Sequence, residues 1–221
     1  MRFALCISGF MRGFRQSIRT LRHSFLESLP CDVFISTWDV VGHSQYKFSS
    51  GREPEERLTP EMLRAVYGAK LKGYSIRPYD PDSVTPGWMQ ETPNPHHQRV
   101  ASMYYHIMEA NRLKREAGQY DVTIRCRPDL FFETRLHNAF LGTAYESRKV
   151  FTPEIESYNL VNDQFMYGHS EPMDMIASLY GHLAVPQSFY CVAPAEKTLS
   201  DFANLQGIEM IKVGIKYKRG S

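Results

Sequence analysis

The first 38 residues contain two apolar runs of strand character separated by one stretch with helical spacing. The runs are RFALCISG (2–9) and CDVFISTW (31–38), both rich in β-branched and aromatic residues. Between them, apolar residues recur at roughly helical spacing, at Phe14, Ile18, Leu21, Phe25 and Leu29. A strand, a helix and a second strand in this order usually form a parallel crossover unit. This unit therefore favours an α/β fold.

Strands and helices continue to alternate along the rest of the chain. Apolar periodicity and capping residues predict helices over 60–67, 97–117, 173–183 and 196–207. Apolar runs predict strands over 71–79, 120–127, 149–154, 165–169 and 208–217. Residues 39–57 and 80–95 are rich in polar residues or proline and are predicted to be irregular. We therefore expect a mixed, mostly parallel central sheet flanked by helices, that is, a Rossmann-like fold.

The composition limits the class of protein. The chain has 221 residues, which suits a single domain over 1–221, alone or within a longer polypeptide. A hydrophobic share of 43% and a net charge of +2 argue against disorder and against nucleic-acid binding. The four cysteines form no CxxC pair, so we expect reduced thiols. No targeting segment or membrane span is visible, which predicts a cytoplasmic protein and leaves peripheral membrane association open.

The loop after the first strand carries glycines and cations. In open α/β sheets, ligands bind beyond the carboxyl ends of the strands. The candidate binding residues at this strand end are Ser8, Gly9, Arg12, Gly13 and Arg15. The glycines permit a tight turn, and the start of a helix with nearby arginines suits a phosphate or pyrophosphate. The alternative is a turn glycine with solvated arginines, because SGFMRG matches neither GxGxxG nor the P-loop.

The second strand ends in an aromatic residue flanked by polar side chains. Thr37, Trp38 and Asp39 stand at this position and are possible ligand contacts. A tryptophan at the rim of a sheet can pack either on a ligand or in the core. The sequence leaves both interpretations of Trp38 open.

The segment YDVTIRCRPDLFF (120–132) places charges at the end of an apolar strand. Alternation puts Arg125 and Arg127 on one face, Pro128 cannot continue a ladder, and Asp129 is expected to point beyond the sheet. Buried charges require partners. One interpretation is an internal arginine–aspartate ion pair. The other is a diphosphate site, in which the arginines bind phosphate oxygens and Asp129 binds a divalent cation or a sugar hydroxyl.

Two later residues are candidates for catalysis or metal binding. Asp163 lies in the polar stretch NDQ, directly before the apolar run FMYG. It is either a turn residue or a general base for a sugar hydroxyl. His169, at the end of the same run, is a candidate metal ligand, although a single histidine is more often structural.

The order of these blocks resembles a known group of enzymes. ALCISGFMRGF, CDVFISTW, YDVTIRCRPDLFF, NDQFMYG and IKVGIKYKR together resemble nucleotide-sugar glycosyltransferases of the GT-A kind, found in bacterial surface-polysaccharide clusters and large algal viruses. The resemblance covers about residues 2–219. It implies a nucleoside diphosphate sugar donor, commonly a UDP-sugar, and transfer of the glycosyl group to a hydroxyl of a glycan acceptor.

The resemblance also implies roles for individual residues. The loop 8–15 would hold the nucleotide and its phosphates, RPD (127–129) would replace the metal-binding Asp-x-Asp, and NDQ (162–164) would carry the base. Arg127 departs from that pattern. Either Asp129 alone holds Mn or Mg, or the arginines replace the cation. A base that activates the acceptor directly gives inversion at the anomeric centre, whereas a carboxylate that only orients the sugar leaves a retaining reaction open.

Two other functions are compatible with the sequence. In a sulfotransferase, the loop 8–15 would hold the phosphates of a sulfated adenosine cofactor, although this loop has no lysine. A non-catalytic nucleotide- or sugar-binding module within a larger protein would use the same strand ends without a base.

Overall fold

The computed structural model describes residues 1–41, 56–91, 95–133, 135, 142, 146–153, 161–183, 185 and 195–219. Its strands, in chain order, are β1 (Phe3–Ser8), β2 (Cys31–Trp38), β3 (Val40–Val41), β4 (Glu56–Arg57), β5 (Leu71–Arg77), β6 (Val122–Cys126), β7 (Leu130–Phe132), β8 (Lys149–Pro153), β9 (Phe165–His169), β10 (Glu209–Val213) and β11 (Tyr217–Arg219). Its α-helices are α1 (Phe14–Leu21), α2 (Pro60–Tyr67), α3 (Gly87–Gln90), α4 (Pro95–Ala117), α5 (Ser170–Ala177), α6 (Leu179–Leu183) and α7 (Ala195–Leu205).

Seven strands form the central sheet, in the order β10-β8-β9-β6-β1-β2-β5. All neighbouring strands are parallel except in the two pairs that involve β9. The sheet carries helices on its faces, so the prediction of a mixed, mostly parallel sheet is confirmed. Strand order reverses at β1, because the chain first builds outward through β2 and β5 and then returns to add β6 on the other side.

Helices α1 and α4 cover opposite faces of the sheet. Phe14 and Ile18 of α1 pack in the same apolar cluster as Leu5 of β1. Ala110 of α4 packs with Cys6, the next residue of β1, whose side chain points to the other face. Side chains of β1 are therefore buried on both sides, which explains why its sequence is an apolar run and does not alternate.

Several element boundaries differ from those predicted. Residues 173–183 form two short helices, α5 and α6, and residues 80–95 contain α3 and a 3₁₀ turn at Asp82–Val84. The predicted last strand is two strands, because the chain turns after Val213, where the N–H of Ile215 donates to the carbonyl of Val213. Strand β10 extends the central sheet, whereas β11 pairs with β7.

The thiols of Cys6, Cys31 and Cys126 are free and buried, as predicted. Cys191 lies outside the described residues. Within the described part of the chain, no helix combines the length and the apolar character needed to cross a membrane.

Candidate functional site

A cavity of about 350 Å³ opens at the carboxyl ends of β1 and β6, where strand order reverses. Its volume lies in the range of about 300–1,000 Å³ that is usual for small-molecule sites. Its wall includes Ser8, Gly9, Arg12, Trp38, Arg99, His106, Arg125, Arg127, Asp163, Glu196 and Arg219. This position is the usual ligand site of an open α/β sheet.

The described wall of the cavity carries more cations than carboxylates. Five of its residues are arginines, which come from the loop after β1, from α4, from the segment 125–127 and from β11. Asp163 and Glu196 are the acidic residues of the same wall. An excess of guanidinium groups in a partly enclosed cavity favours an anionic ligand.

Arg125 has the least ordinary environment in this wall. Its side chain is 2% exposed, and its three guanidinium nitrogens have no hydrogen-bond partner among the described residues. Burial lowers the pKa of Arg125, and the nearby carboxylate of Asp163 partly opposes this effect. A buried cation without a bonded partner costs several kcal/mol. A buried charged group without a bonded partner therefore suggests a ligand-binding site.

Ser8 presents a second unsatisfied group to the same cavity. Its hydroxyl is buried and has no hydrogen-bond partner within the described part of the chain. Ser8 precedes Gly9, whose φ of 108° lies in the region that favours glycine. The N–H of Gly9 donates to the carbonyl of Ser36 at 3.2 Å, which fixes the turn at the end of β1.

Asp129 is buried between two arginines. Its Oδ2 accepts a hydrogen bond from Arg12 Nε at 2.7 Å and one from Arg127 Nη2 at 2.8 Å, and its Oδ1 accepts one from Arg127 Nε at 3.0 Å. Asp129 is 1% exposed, so the expectation that it points into the space beyond the sheet is wrong. The arginine–aspartate ion pair that the sequence left open is present here, and Arg125 is not part of it.

The carboxylate of Asp163 is held at the cavity by a hydrogen-bonded turn. Asn162 Oδ1 accepts the N–H of Gln164 at 2.9 Å, and Asn162 Nδ2 donates to the hydroxyl of Tyr217 at 2.6 Å. The carbonyl of Gln164 accepts the N–H of Arg127 at 3.0 Å. The turn is thereby tied both to β11 and to the end of β6. Asp163 is mostly buried in the cavity wall, close enough to Arg125 to affect its pKa.

Besides Asp129, five of the predicted site residues do not line the cavity: Gly13, Arg15, Thr37, Asp39 and His169. Arg15 donates from both terminal nitrogens to Glu56 at 2.8 and 3.0 Å on an exposed surface, so its predicted role in the diphosphate site is not supported. Asp39 accepts from Arg57 at 2.8 Å and from the N–H of Tyr79 at 2.9 Å. Thr37 is fully buried, and its hydroxyl donates to the carbonyl of Trp38.

Gly13, which also lies outside the cavity wall, is the N-cap residue of α1. Its φ is 63°, and an added Cβ would stand 3.9 Å from Cβ of Asp129. A carboxylate near the start of a helix interacts favourably with the helix dipole. The positive end of α1, which was predicted to attract a phosphate, therefore lies next to Asp129.

The prediction of His169 as a metal ligand is wrong in position. His169 pairs with Val122 at the start of β6, whereas the cavity lies beyond Cys126 at its other end. Four residues of strand separate these ends by roughly 13 Å. His169 instead caps α5, where its Nδ1 accepts the N–H of Glu171 at 3.4 Å. Across the described residues, no three His, Cys, Asp or Glu side chains converge on a common metal position.

Trp38 lines the cavity mainly as a core residue. Its Nε1 donates to the hydroxyl of Ser102 at 3.0 Å, and its ring packs edge-on against His106 with centroids 4.6 Å apart. With 1% of its surface exposed, it offers little ring face to a ligand. The structure therefore favours the core interpretation of Trp38.

The first half of α4 contributes wall residues that the sequence analysis missed. Arg99, Ser102, Met103 and His106 all line the cavity. They follow the spacing i, i+3, i+4 and i+7, which places them on one helix face. A polar side chain recurring on an otherwise apolar face was the available signal. Arg219 had no comparable signal, because β11 reaches the cavity only by pairing with β7.

The pH dependence of stability is expected to report on His106. Its Nδ1 forms a 2.8 Å hydrogen bond with the hydroxyl of Ser36, and burial, with Arg77 as the smaller cause, lowers its pKa from 6.5 to about 3. Between these pH values the unfolded chain binds a proton that the folded protein excludes. Stability should therefore fall as the pH falls below about 6.5, with about 1.4 kcal/mol per pH unit due to this residue.

Urea denaturation at several pH values between 7.5 and 4.5 measures this dependence. The unfolding free energy of His106→Gln should decline less steeply with falling pH than that of the unchanged protein, because the variant lacks the titrating imidazole. The carboxylates are the same in the two proteins and contribute equally to the decline in each. Equal slopes in the two proteins would contradict a neutral, buried His106.

A scan of the chain against protein-family models found no match, and a search of curated proteins found no relative.

Proposed function

We propose that this protein is a glycosyltransferase that moves a sugar from a nucleoside diphosphate sugar, most simply a UDP-sugar, to a hydroxyl of a glycan acceptor. The proposal is carried by the buried guanidinium of Arg125, which has no hydrogen-bond partner among the residues that the structure describes and lies in the wall of a cavity where the strand order reverses. A phosphate group would supply the charge and the acceptor atoms that this guanidinium lacks.

Asp163 gives the cavity a carboxylate that can serve as the general base of an inverting transferase. In the proposed reaction, its carboxylate accepts the proton of the acceptor hydroxyl while the hydroxyl oxygen attacks the anomeric carbon. The bond between that carbon and the diphosphate oxygen breaks, and the electron pair leaves with the nucleoside diphosphate. Arginines beside the leaving group stabilise its growing negative charge. Direct attack in this way inverts the anomeric centre.

Binding of UDP is expected to raise the melting temperature. A ligand at about 100 times its Kd stabilises a folded protein by about 2.7 kcal/mol, which corresponds to roughly 5–10 °C for a chain of this length. Differential scanning fluorimetry with UDP, UDP-glucose and UDP-galactose measures the shift, and release of UDP on incubation with the sugars measures hydrolysis or transfer.

The same measurement separates the alternatives. A larger shift with adenosine 3′,5′-bisphosphate than with any nucleoside diphosphate would favour a sulfotransferase. A clear shift with UDP and its sugars, but no turnover with any acceptor or with water, would favour a binding module. The absence of any shift with nucleoside diphosphates and their sugars would contradict the proposal itself.

A further inference from the structure

We infer that arginines positioned by Asp129 bind the diphosphate, and that this binding requires no divalent cation. This inference rests on the proposed function and assigns Asp129 a role different from that of a metal ligand. It follows from the hydrogen bonds of Asp129, from arginine donors that bond no residue the structure describes, and from the carboxylates of the cavity wall.

Asp129 connects two segments that reach the cavity from different strands. Arg12 belongs to the loop after β1, and Arg127 directly follows β6. Both donate to the same carboxylate, and Asp129 is 1% exposed whereas Arg12 and Arg127 are 30% and 22% exposed. The hydroxyl of Ser17 in α1 donates to the carbonyl of Pro128, which holds this segment against the helix. The carboxylate therefore lies behind the two arginines, and their outer parts face the cavity.

The pattern of bonds leaves donors available for a ligand. Arg12 uses only Nε on Asp129, and Arg127 uses Nε and one terminal nitrogen. The remaining terminal nitrogens of both have no hydrogen bond to a described residue, and both side chains line the cavity with Arg125. A guanidinium fixed on one side by a carboxylate loses less side-chain entropy when its other side binds phosphate oxygens.

Asp129 is poorly suited to hold a metal ion. Its two oxygens already accept three charge-assisted hydrogen bonds, and a cation at this carboxylate would have to displace them and stand beside two guanidinium groups. Mg²⁺ and Mn²⁺ sites in such enzymes usually draw on carboxylates that can reach the phosphates. The described wall offers Asp163 and Glu196, and no group of three potential ligands converges there.

The net charge of the arginines and Asp129 matches that of a diphosphate group. Arg12, Arg125 and Arg127 with Asp129 have a combined charge of +2. A nucleoside diphosphate sugar carries a negative charge on each phosphate. The arginine group can thus neutralise the diphosphate, which is the task that a divalent cation performs elsewhere.

Isothermal titration calorimetry with UDP and with inorganic pyrophosphate, each in EDTA and in MnCl₂, tests the inference. We expect the Kd of each probe to agree within about twofold between the two buffers. A Kd that improves more than about tenfold in Mn²⁺ would overturn the inference and leave the proposed function intact. If neither probe binds in either buffer, the proposed function fails and this inference fails with it.

Variants test the individual residues in the same two buffers. Arg12→Gln and Arg127→Gln should each weaken UDP binding roughly 10- to 100-fold, as expected for loss of charge-assisted hydrogen bonds. Arg15→Gln is the matched control, because Arg15 belongs to the adjacent segment but binds Glu56 outside the cavity. Its UDP affinity should stay within about twofold. Equal losses in all three variants would indicate a general charge effect and overturn the assignment.

Asp129→Asn separates positioning from metal binding. We expect it to weaken UDP binding roughly tenfold while the ratio of the Kd values in EDTA and Mn²⁺ stays near one, with the melting temperature recorded to verify folding. A purely structural defect would lower the melting temperature and leave the UDP affinity of the folded fraction unchanged, which would overturn the positioning role. A response to Mn²⁺ that is present in the unchanged protein and lost in this variant would identify Asp129 as a metal ligand.

Discussion

Replacing Arg125 with methionine is expected to raise the melting temperature and to abolish binding of nucleoside diphosphates. A substitution that raises stability and abolishes binding is typical of a functional site, where a protein keeps a group that its fold alone would not favour. The expectation follows from the burial of Arg125 and from the absence of hydrogen-bond partners within the described residues.

The stability increase comes from removing an uncompensated charge. Replacing buried ionic groups with apolar residues of similar volume is often stabilising, by about 1–4 kcal/mol. For a chain of this length that corresponds to a rise of several degrees in the melting temperature. Methionine is unbranched and adaptable, so it can occupy the space of the arginine side chain with little strain. Asp163 loses a nearby cation in this variant, so the double variant Arg125→Met/Asp163→Asn should be at least as stable.

The loss of binding comes from the same guanidinium. If it donates two or more charge-assisted hydrogen bonds to phosphate oxygens, its removal costs about 3 kcal/mol or more, that is, at least roughly 100-fold in Kd. Differential scanning fluorimetry without ligand gives the first effect, and calorimetric titration with UDP gives the second.

Lys114→Met is the matched control for Arg125→Met. Lys114 of α4 is also a cation that is 2% exposed, but its Nζ donates to Thr123 of β6 at 3.0 Å and to Asp174. Removing it takes the cation from Asp174 and one hydrogen bond from Thr123, which keeps its bond to Ser170, so this variant should melt at a lower temperature and keep its UDP affinity. If Arg125→Met also melted several degrees lower, Arg125 would be a structural residue, and the main support for the proposed function would be lost.

The sequence predicted the centre of the sheet well because the inner parallel strands β1, β2 and β6 are buried on both faces and are largely apolar runs. The direction of a strand could not be predicted in the same way. FMYGH predicts a strand over 165–169, but nothing in this segment indicates that β9 is antiparallel to its neighbours. This unknown direction produced the error in His169, since reversing the strand moves its last residue to the opposite edge of the sheet.

The rule that ligands bind beyond strand ends identified Ser8, Arg12, Arg125 and Asp163 but could not pair the charges. Arg12 and Arg15 look equivalent in the sequence, yet Arg12 binds Asp129 and Arg15 binds Glu56. Both partners are distant in the sequence, and pairing depends on how the strands and loops pack. Arg219 was missed for the same reason.

Replacing Asp163 with asparagine is expected to abolish turnover while leaving donor binding within a few-fold of its original value. The amide keeps the shape of the side chain but cannot accept the proton of the acceptor hydroxyl. General-base catalysis contributes about 10²- to 10⁴-fold to a rate, so kcat should fall by this amount. The measurement is release of UDP from the sugar that gives the largest thermal shift, with titration calorimetry for donor affinity.

Glu196→Gln is the control, because Glu196 is the other carboxylate in the described wall of the cavity and lies at the start of α7. We expect it to retain most of the activity. The assignment of Asp163 as the base depends on its position. Asp163 lies near Arg125, in a turn that is hydrogen-bonded to Arg127 and Tyr217. It is therefore held beside the arginines that would bind the diphosphate. If Glu196→Gln lost turnover and Asp163→Asn kept it, the base would be Glu196, and Asp163 would serve to hold Arg125 in its charged form.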